Sequence, residues 1–150
     1  MSNTMQDVIE QEISINASLE RVWDLVTEPG WWVPTEAPAA VDRTPGSQTV
    51  RVSEKYGRFP VEVVEMKPRT YAAFRWASQF PNEELAVGHT TLIEFFVSQV
   101  GDAVQVKVRE SGFAQLSAPE EVRQAGFRDN TEGWRLELGE LRKKSEAAAA

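Results

Sequence analysis

The sequence contains no cysteine, one histidine and no apolar stretch that approaches the ~20 residues of a membrane span. Without cysteine, disulfides, thiolate catalysis and zinc–sulfur sites are excluded. With His89 as the single histidine, a site built from several histidines is excluded too. Phosphate loops, paired-glycine dinucleotide motifs and Asp-rich cation loops are also missing. We therefore predict no metal and no cofactor.

Basic charge is scarce as well. The chain has 16 Lys and Arg against 23 Asp and Glu, which gives a net charge of −7. Nucleic acids and anionic membranes attract basic surfaces, so we expect neither nucleic-acid binding nor membrane insertion. The first seven residues are polar and lack the apolar core of a signal peptide, and we expect a cytoplasmic protein.

Hydrophobic residues are plentiful, with five Trp and seven Phe in 150 residues, the size of a single domain. Near the end, Trp134, Leu138 and Leu141 recur at i, i+4 and i+7, which predicts a long amphipathic helix. This helix either runs unbroken from 119 to 144 or kinks at 128–130. Residues 145–150 are expected to fray.

The rest of the chain is typical of strands. Alternating or apolar segments predict strands at 8–15, 48–55, 59–66, 71–77, 89–100 and 103–111. A first helix is predicted over 19–27, with Asn16 or Ser18 as its N-cap. Residues 31–34 form either a second short helix or a turn. Because adjacent Trp residues cannot share a helix face, we expect one of Trp31 and Trp32 to point inward and the other to cover a rim or contact a partner. Residues 35–45 are expected to be a loop, with or without a short edge strand.

The predicted fold class is α+β. We expect one domain, 1–150, with a core over about 8–144, in which a curved antiparallel sheet of six or seven strands wraps around the terminal helix. Two short helices follow the first strand.

Glu110 is the most unusual residue for chemistry. The alternation that buries Val104, Val106 and Val108 also directs Glu110 inward, and a buried carboxylate is costly unless it is paired. It either lies near solvent or pairs with Arg75 or Arg109, or it serves as a polar anchor for a ligand hydroxyl or amine. His89 is either a residue of the rim or a general base at a pocket mouth.

Several short motifs, in this order and spacing, resemble those of the START-like (Bet v 1-like or SRPBCC) superfamily. Within it, the chain is similar to the branch named after the activator homologue of the heat-shock-protein-ninety ATPase. The matching residues are 15–23 (INASLERVW), 29–32 (PGWW), Pro68 with 74–76 (FRW), 110–113 (ESGF), and Gly133-Trp134 with Leu138 and Leu141.

This resemblance implies a helix-grip fold whose members mostly bind hydrophobic molecules, while some act as cyclases, dehydratases or hydroxylase components. The sequence departs from the pattern in two places. Residues 45–47 (PGS) replace a Gly-Gly turn, and Asn130 stands where relatives often carry His.

Three functions remain open. The first is non-catalytic binding of a hydrophobic or amphipathic small molecule in a cavity between sheet and terminal helix. The second is a cyclase- or dehydratase-type enzyme that uses Glu110 or His89. The third is an interaction module, as a homodimer or a chaperone cofactor, that uses an exposed Trp with Phe96. The predicted ligand-binding residues are Trp31, Trp32, Phe74, Trp76, Phe95, Val106, Glu110, Trp134 and Leu138.

Overall fold

A computed structural model describes residues 7–34 and 41–147. Within these ranges six strands form one antiparallel sheet: β1 (Val8–Ile15), β2 (Gln48–Ser53), β3 (Gly57–Lys67), β4 (Tyr71–Trp76), β5 (Thr91–Val100) and β6 (Ala103–Ser111). Their spatial order is β1-β6-β5-β4-β3-β2. The chain therefore forms a meander from β2 to β6, and β1 adds to the far side of β6. The predicted six- or seven-stranded antiparallel sheet is confirmed with six strands.

The first helix, α1 (Leu19–Val26), begins after Ser18, whose Oγ accepts a hydrogen bond from Arg21 N at 3.1 Å. Ser18, and not Asn16, is therefore the N-cap, as expected for a short hydroxyl side chain that satisfies a free helix N–H. Residues 29–34 form a turn that continues into a bend at 33–34. One short helix, and not the two predicted, thus follows β1 in the described residues up to 34.

The terminal helix, α2 (Glu120–Ala147), is unbroken through 128–130, and it extends into the segment 145–147 that was expected to fray, where Ser145 is buried. Trp134, Leu138 and Leu141 are buried, as the spacing predicted. A short 3-10 helix (Phe113–Gln115) connects β6 to α2. No helix in the described residues is long and apolar enough to cross a membrane.

One face of the sheet packs against the helices. In β5, Ile93, Phe95 and Val97 are buried, while Phe96 is 37% exposed on the opposite face. The inward residues of β6 are buried in the same way. In β3 the pairing with β4 shifts between Val63 and Glu65, and this bulge explains why two consecutive valines interrupt the alternation. The sheet and α2 together enclose one apolar core.

Candidate functional site

Glu110 is buried in this core, near the end of β6. Its side chain is 0% exposed, and its neighbours across the sheet are Ile9 on β1 and Ile93 on β5. The alternation of β6 that buries Val106 and Val108 also turns this carboxylate inward. Sequence reasoning predicted that direction, and the structure confirms it.

Four side chains donate hydrogen bonds to the carboxylate. Trp134 Nε1 donates to Oε1 at 2.8 Å, while Thr91 Oγ1 and Trp76 Nε1 donate to Oε2 at 2.6 and 2.9 Å. Asn130 Nδ2 lies 3.1 and 3.3 Å from the two oxygens. These donors come from β4, β5 and α2, so the carboxylate joins the sheet to the terminal helix. We call Glu110 and its four donors the carboxylate network.

Burial raises the pKa of Glu110, because desolvation disfavours the ionised form. The four hydrogen bonds act in the opposite direction, since each stabilises the carboxylate, but the net direction is upward. The alternative of pairing with Arg75 or Arg109 is wrong. Arg75 Nη1 contacts Glu62 at 3.4 Å on the outer face, and Arg109 points away from Glu110 by the period of the strand.

Six aromatic rings lie next to the carboxylate network. The ring centroid of Trp32 lies 5.5 Å from those of Phe74 and Trp76, 5.7 Å from that of Trp134 and 5.8 Å from that of Phe95. Trp31 completes the group. We call these six residues the aromatic cluster. Two of its indoles, Trp76 and Trp134, also belong to the carboxylate network.

Both tryptophans of the 29–34 turn point inward. Trp31 is 8% exposed and Trp32 is 4% exposed, so the expectation that one of them would cover a rim is wrong. The expectation assumed a helix, in which neighbours diverge by about 100°. In a turn the restriction is lifted, and the two rings meet edge to face with centroids 6.0 Å apart.

The indole N–H groups of Trp31 and Trp32 are buried and donate to no acceptor in the described part of the chain. The other two indoles of the cluster, Trp76 and Trp134, both donate to Glu110. The cluster is thus divided between two satisfied and two unsatisfied indole donors.

Arg51 on β2 secures the turn that carries the tryptophans. Its Nη1 donates to Pro29 O at 3.0 Å and to Glu28 Oε2 at 3.2 Å. Gly30 has φ +77°, and a Cβ at this position would lie 2.5 Å from Arg51 Cγ. The turn therefore needs glycine both for its backbone angle and for space.

The described contacts of His89 are with Phe80 and Glu83. Its ring stacks on Phe80 with centroids 4.1 Å apart, and Nδ1 lies 3.2 Å from Glu83 Oε1 without the direction of a hydrogen bond. Its side chain is 30% exposed, which fits a residue of the rim and a group at a pocket mouth equally. The two candidate acid–base residues share no described contact.

A separate open groove of about 390 Å³ lies where β5 begins and β6 ends. Its lining includes Arg75 and Leu92 from the outer face of the sheet, together with Gly112. Thr91 belongs both to this lining and to the carboxylate network. The sequence did not predict this groove.

The structure brings the nine predicted ligand-binding residues together in one interior, where eight are buried and Trp76 is partly buried. The sequence did not lead us to predict Thr91 and Asn130 as members of the carboxylate network. Both carried a signal, because Thr91 shares the inward face of β5 with Ile93, and Asn130 precedes Trp134 by one helical turn.

Comparison with known proteins agrees with this architecture. Residues 16–144 match the family described as "Activator of Hsp90 ATPase homolog 1-like protein". The search of curated proteins finds no match.

Several solved structures share the fold. The Aha1 dimer from Colwellia psychrerythraea is 18% identical, with a TM-score of 0.69 over 94% of this chain and 97% of that one. A Bacillus halodurans protein is 17% identical, with a TM-score of 0.70 over 95% and 99%. DynU16, from the dynemicin biosynthetic locus, is 22% identical with a TM-score of 0.70, and the match covers 95% of this chain but 48% of that protein.

At these identities the solved structures show the fold alone. The family match carries more, because it spans most of the sequence and includes the 29–34 turn, Glu110 and the buried face of α2. The chain therefore belongs to the Activator of Hsp90 ATPase homolog 1-like family, a branch of the START-like superfamily.

Proposed function

We propose that this protein binds a hydrophobic or amphipathic small molecule, without catalysis, between the sheet and α2. The observation that carries the proposal is the position of Trp31 and Trp32. Both rings come from a turn and insert into the core, where they contact the sheet through Phe95 and the terminal helix through Trp134.

The rings of the aromatic cluster touch one another, so a ligand needs room. We propose that the turn supplies it by moving outward. A buried Trp removes about 150–250 Å² of surface from water, which corresponds to roughly 4–6 kcal/mol at 25 cal/mol per Å². A ligand that buries a similar apolar area replaces that contribution. Outward movement of the turn is further favoured because each unpaired buried N–H donor destabilises the ligand-free conformation by about 1–3 kcal/mol.

The carboxylate network gives this site a fixed wall. Glu110 accepts hydrogen bonds from both Trp76 and Trp134, which sets the orientation of two indoles on opposite sides of the interior. In the proposed site, Phe74, Phe95, Val106 and Leu138 provide apolar surface, and Glu110 provides the only carboxylate among the predicted ligand-binding residues.

Two measurements test the proposal. Native mass spectrometry of protein purified from its own host should show an additional small-molecule mass, and titration with apolar dyes or lipids should change the Trp fluorescence saturably. The change should be reduced in a Trp32→Phe variant. A Trp23→Phe variant is the matched control, because Trp23 lies on α1 and outside the cluster. No co-purified mass and no saturable change would overturn the proposal.

A second candidate is a cyclase- or dehydratase-type enzyme, which the raised pKa of Glu110 favours. In the described conformation both carboxylate oxygens accept hydrogen bonds from protein groups, so a substrate would have to replace one of these donors. A Glu110→Gln variant separates the two functions. An enzyme should lose turnover of a candidate substrate, whereas unchanged turnover would remove Glu110 from any mechanism.

A third candidate is a homodimer, since the relative from Colwellia psychrerythraea is described as a dimer. Phe96 offers a partly exposed ring on the outer face of β5, beside Tyr71 at 5.2 Å between centroids. Light scattering across a concentration series tests the oligomeric state. A mass that stays monomeric at high concentration would exclude the homodimer.

A further inference from the structure

The polar groups of the aromatic cluster are strongly biased towards donors. Four indole N–H groups lie in the cluster, and Thr91 and Asn130 add a hydroxyl and an amide donor beside it. The carboxylate of Glu110 accepts from Trp76, Trp134 and these two. The indole N–H groups of Trp31 and Trp32 have no hydrogen-bond acceptor in the described residues, although both residues are more than nine-tenths buried.

The aromatic rings around these two indoles are weak hydrogen-bond acceptors for their N–H groups. Trp31 meets Trp32 at an interplanar angle of 85°, and Trp32 meets Trp76 at 87°. An edge-to-face neighbour can accept an N–H only through its π face, which is a second-order interaction compared with a hydrogen bond to oxygen. An oxygen acceptor brought among these rings would therefore satisfy donors that the protein itself leaves unpaired.

We propose that the ligand is a planar apolar molecule with a neutral carbonyl oxygen, and that the indole N–H groups of Trp31 and Trp32 donate to this oxygen. This inference rests on the proposed function. The planar body follows from the lining, since flat rings pack edge to face or offset against other aromatic rings.

The acceptor is neutral for electrostatic reasons. A ligand carboxylate would enter a low-dielectric interior that already holds Glu110, and no Lys or Arg is among the described hydrogen-bonding partners of the carboxylate network or of the two indoles. A hydroxyl or amine ligand would need a free acceptor. The oxygens of Glu110 already accept from four side chains, so a donor ligand is disfavoured.

The test compares two bicyclic molecules of nearly the same shape, 1-tetralone and tetralin, which differ by the carbonyl oxygen. Binding is measured by titration of the ¹⁵N-labelled protein, with the indole N–H signals as the readout. A net contribution of about 0.5–1.5 kcal/mol per hydrogen bond, taken over the two proposed bonds, corresponds to a preference for the ketone of roughly 5- to 150-fold. The signals of Trp31 and Trp32 should move downfield with the ketone only.

Variants make the assignment specific. Trp31→Phe and Trp32→Phe keep an aromatic ring but remove the donor, so each should lower the preference and the double variant should remove it. Trp23→Phe should leave it unchanged. Equal affinity of the two molecules for the unaltered protein, or a preference that survives in the double variant, would overturn the inference while the proposed function stands. If neither molecule nor any apolar dye binds, the proposed function fails, and the inference fails with it.

Discussion

Replacing Glu110 by Gln should abolish a pH dependence of stability that this one residue creates. Because burial raises the pKa of Glu110 in the folded protein, the folded state holds this proton at pH values where the unfolded state has released it. Stability is therefore greatest below the unfolded pKa and falls as the pH rises from there through the folded pKa. Above the folded pKa the contribution of Glu110 is constant.

The magnitude follows from proton linkage. Inside the window between the two pKa values, one carboxyl changes the free energy of unfolding by at most about 1.4 kcal/mol per pH unit. The Gln variant has no proton to exchange, so its free energy of unfolding should lack this slope. Above the folded pKa of Glu110 two effects of the substitution oppose each other. The buried charge is removed, but an amide NH₂ now faces groups that all donate, which leaves at least one indole N–H unpaired at a cost of about 1–3 kcal/mol.

The assay is urea unfolding at half-unit intervals between pH 4.5 and 8, with the free energy in water obtained by linear extrapolation. The quantity to compare is the difference between the original protein and the variant, because contributions from other titrating groups cancel in it. A Glu12→Gln variant is the matched control. It removes the same charge from an exposed position on β1, and its stability profile should run nearly parallel to that of the original protein.

A direct readout comes from the indole N–H signals of Trp76 and Trp134, which donate to the carboxylate. Both should shift together with pH, with one common midpoint above the ordinary value for a glutamate. The reasoning would be refuted if the Gln variant retained the slope of the original protein, or if the stability of the original protein relative to the variant rose with pH across the window.

Three further substitutions have definite expected outcomes. Gly30→Ala should lower the free energy of unfolding by about 1–3 kcal/mol in urea titrations, because of its positive φ and the 2.5 Å approach to Arg51; an unchanged midpoint would contradict this. Asn130→Asp places a second carboxylate beside Glu110, so it should destabilise the protein at pH 7 and recover stability as the pH falls, as thermal melts at pH 5 and 7 can check. Glu137 is half-buried and burial raises its pKa, so Glu137→Gln should stabilise the protein by a few tenths of a kcal/mol at pH 7 in the same melts, and a loss would count against the burial argument.

The architecture could be predicted because its periodic signals are long. The three-residue stripe from Trp134 to Leu141 and the alternation along β5 and β6 each extend over several repeats, and both are confirmed. Such repeats reflect burial on one face of an element, which is the strongest local signal a sequence carries. The inward direction of Glu110 follows from the same alternation.

The partners of Glu110 could not be predicted in the same way. Among the alternatives that the sequence left open for Glu110, the only protein partner was arginine, because a buried charge usually has a counter-charge. The structure instead supplies four neutral donors from positions 19 to 34 residues away in the chain, and only the packing of α2 on the sheet brings them together. The error for Trp31 and Trp32 had a similar origin. The divergence of neighbouring side chains in a helix does not hold for a segment that forms a turn, and turns are specified by few residues.

These two surprises have one physical consequence when they are taken together. Neutral donors satisfy Glu110 without neutralising it, so an ionised Glu110 leaves a negative charge in an interior that also contains two unused donors. Such an interior should discriminate against anions through the charge and favour neutral acceptors through the donors. Protonation of Glu110 weakens the discrimination against anions but leaves the preference for neutral acceptors intact, because Trp31 and Trp32 do not contact the carboxylate through hydrogen bonds.

The affinity for a ketone should therefore change little with pH, whereas the affinity for an aromatic carboxylate of similar size should rise as the pH falls through the pKa of Glu110. Measuring both affinities with 1-tetralone and 1-naphthoate in the original protein and in the Glu110→Gln variant separates the two preferences, since above the pKa of Glu110 the variant should bind the carboxylate more tightly and the ketone about equally.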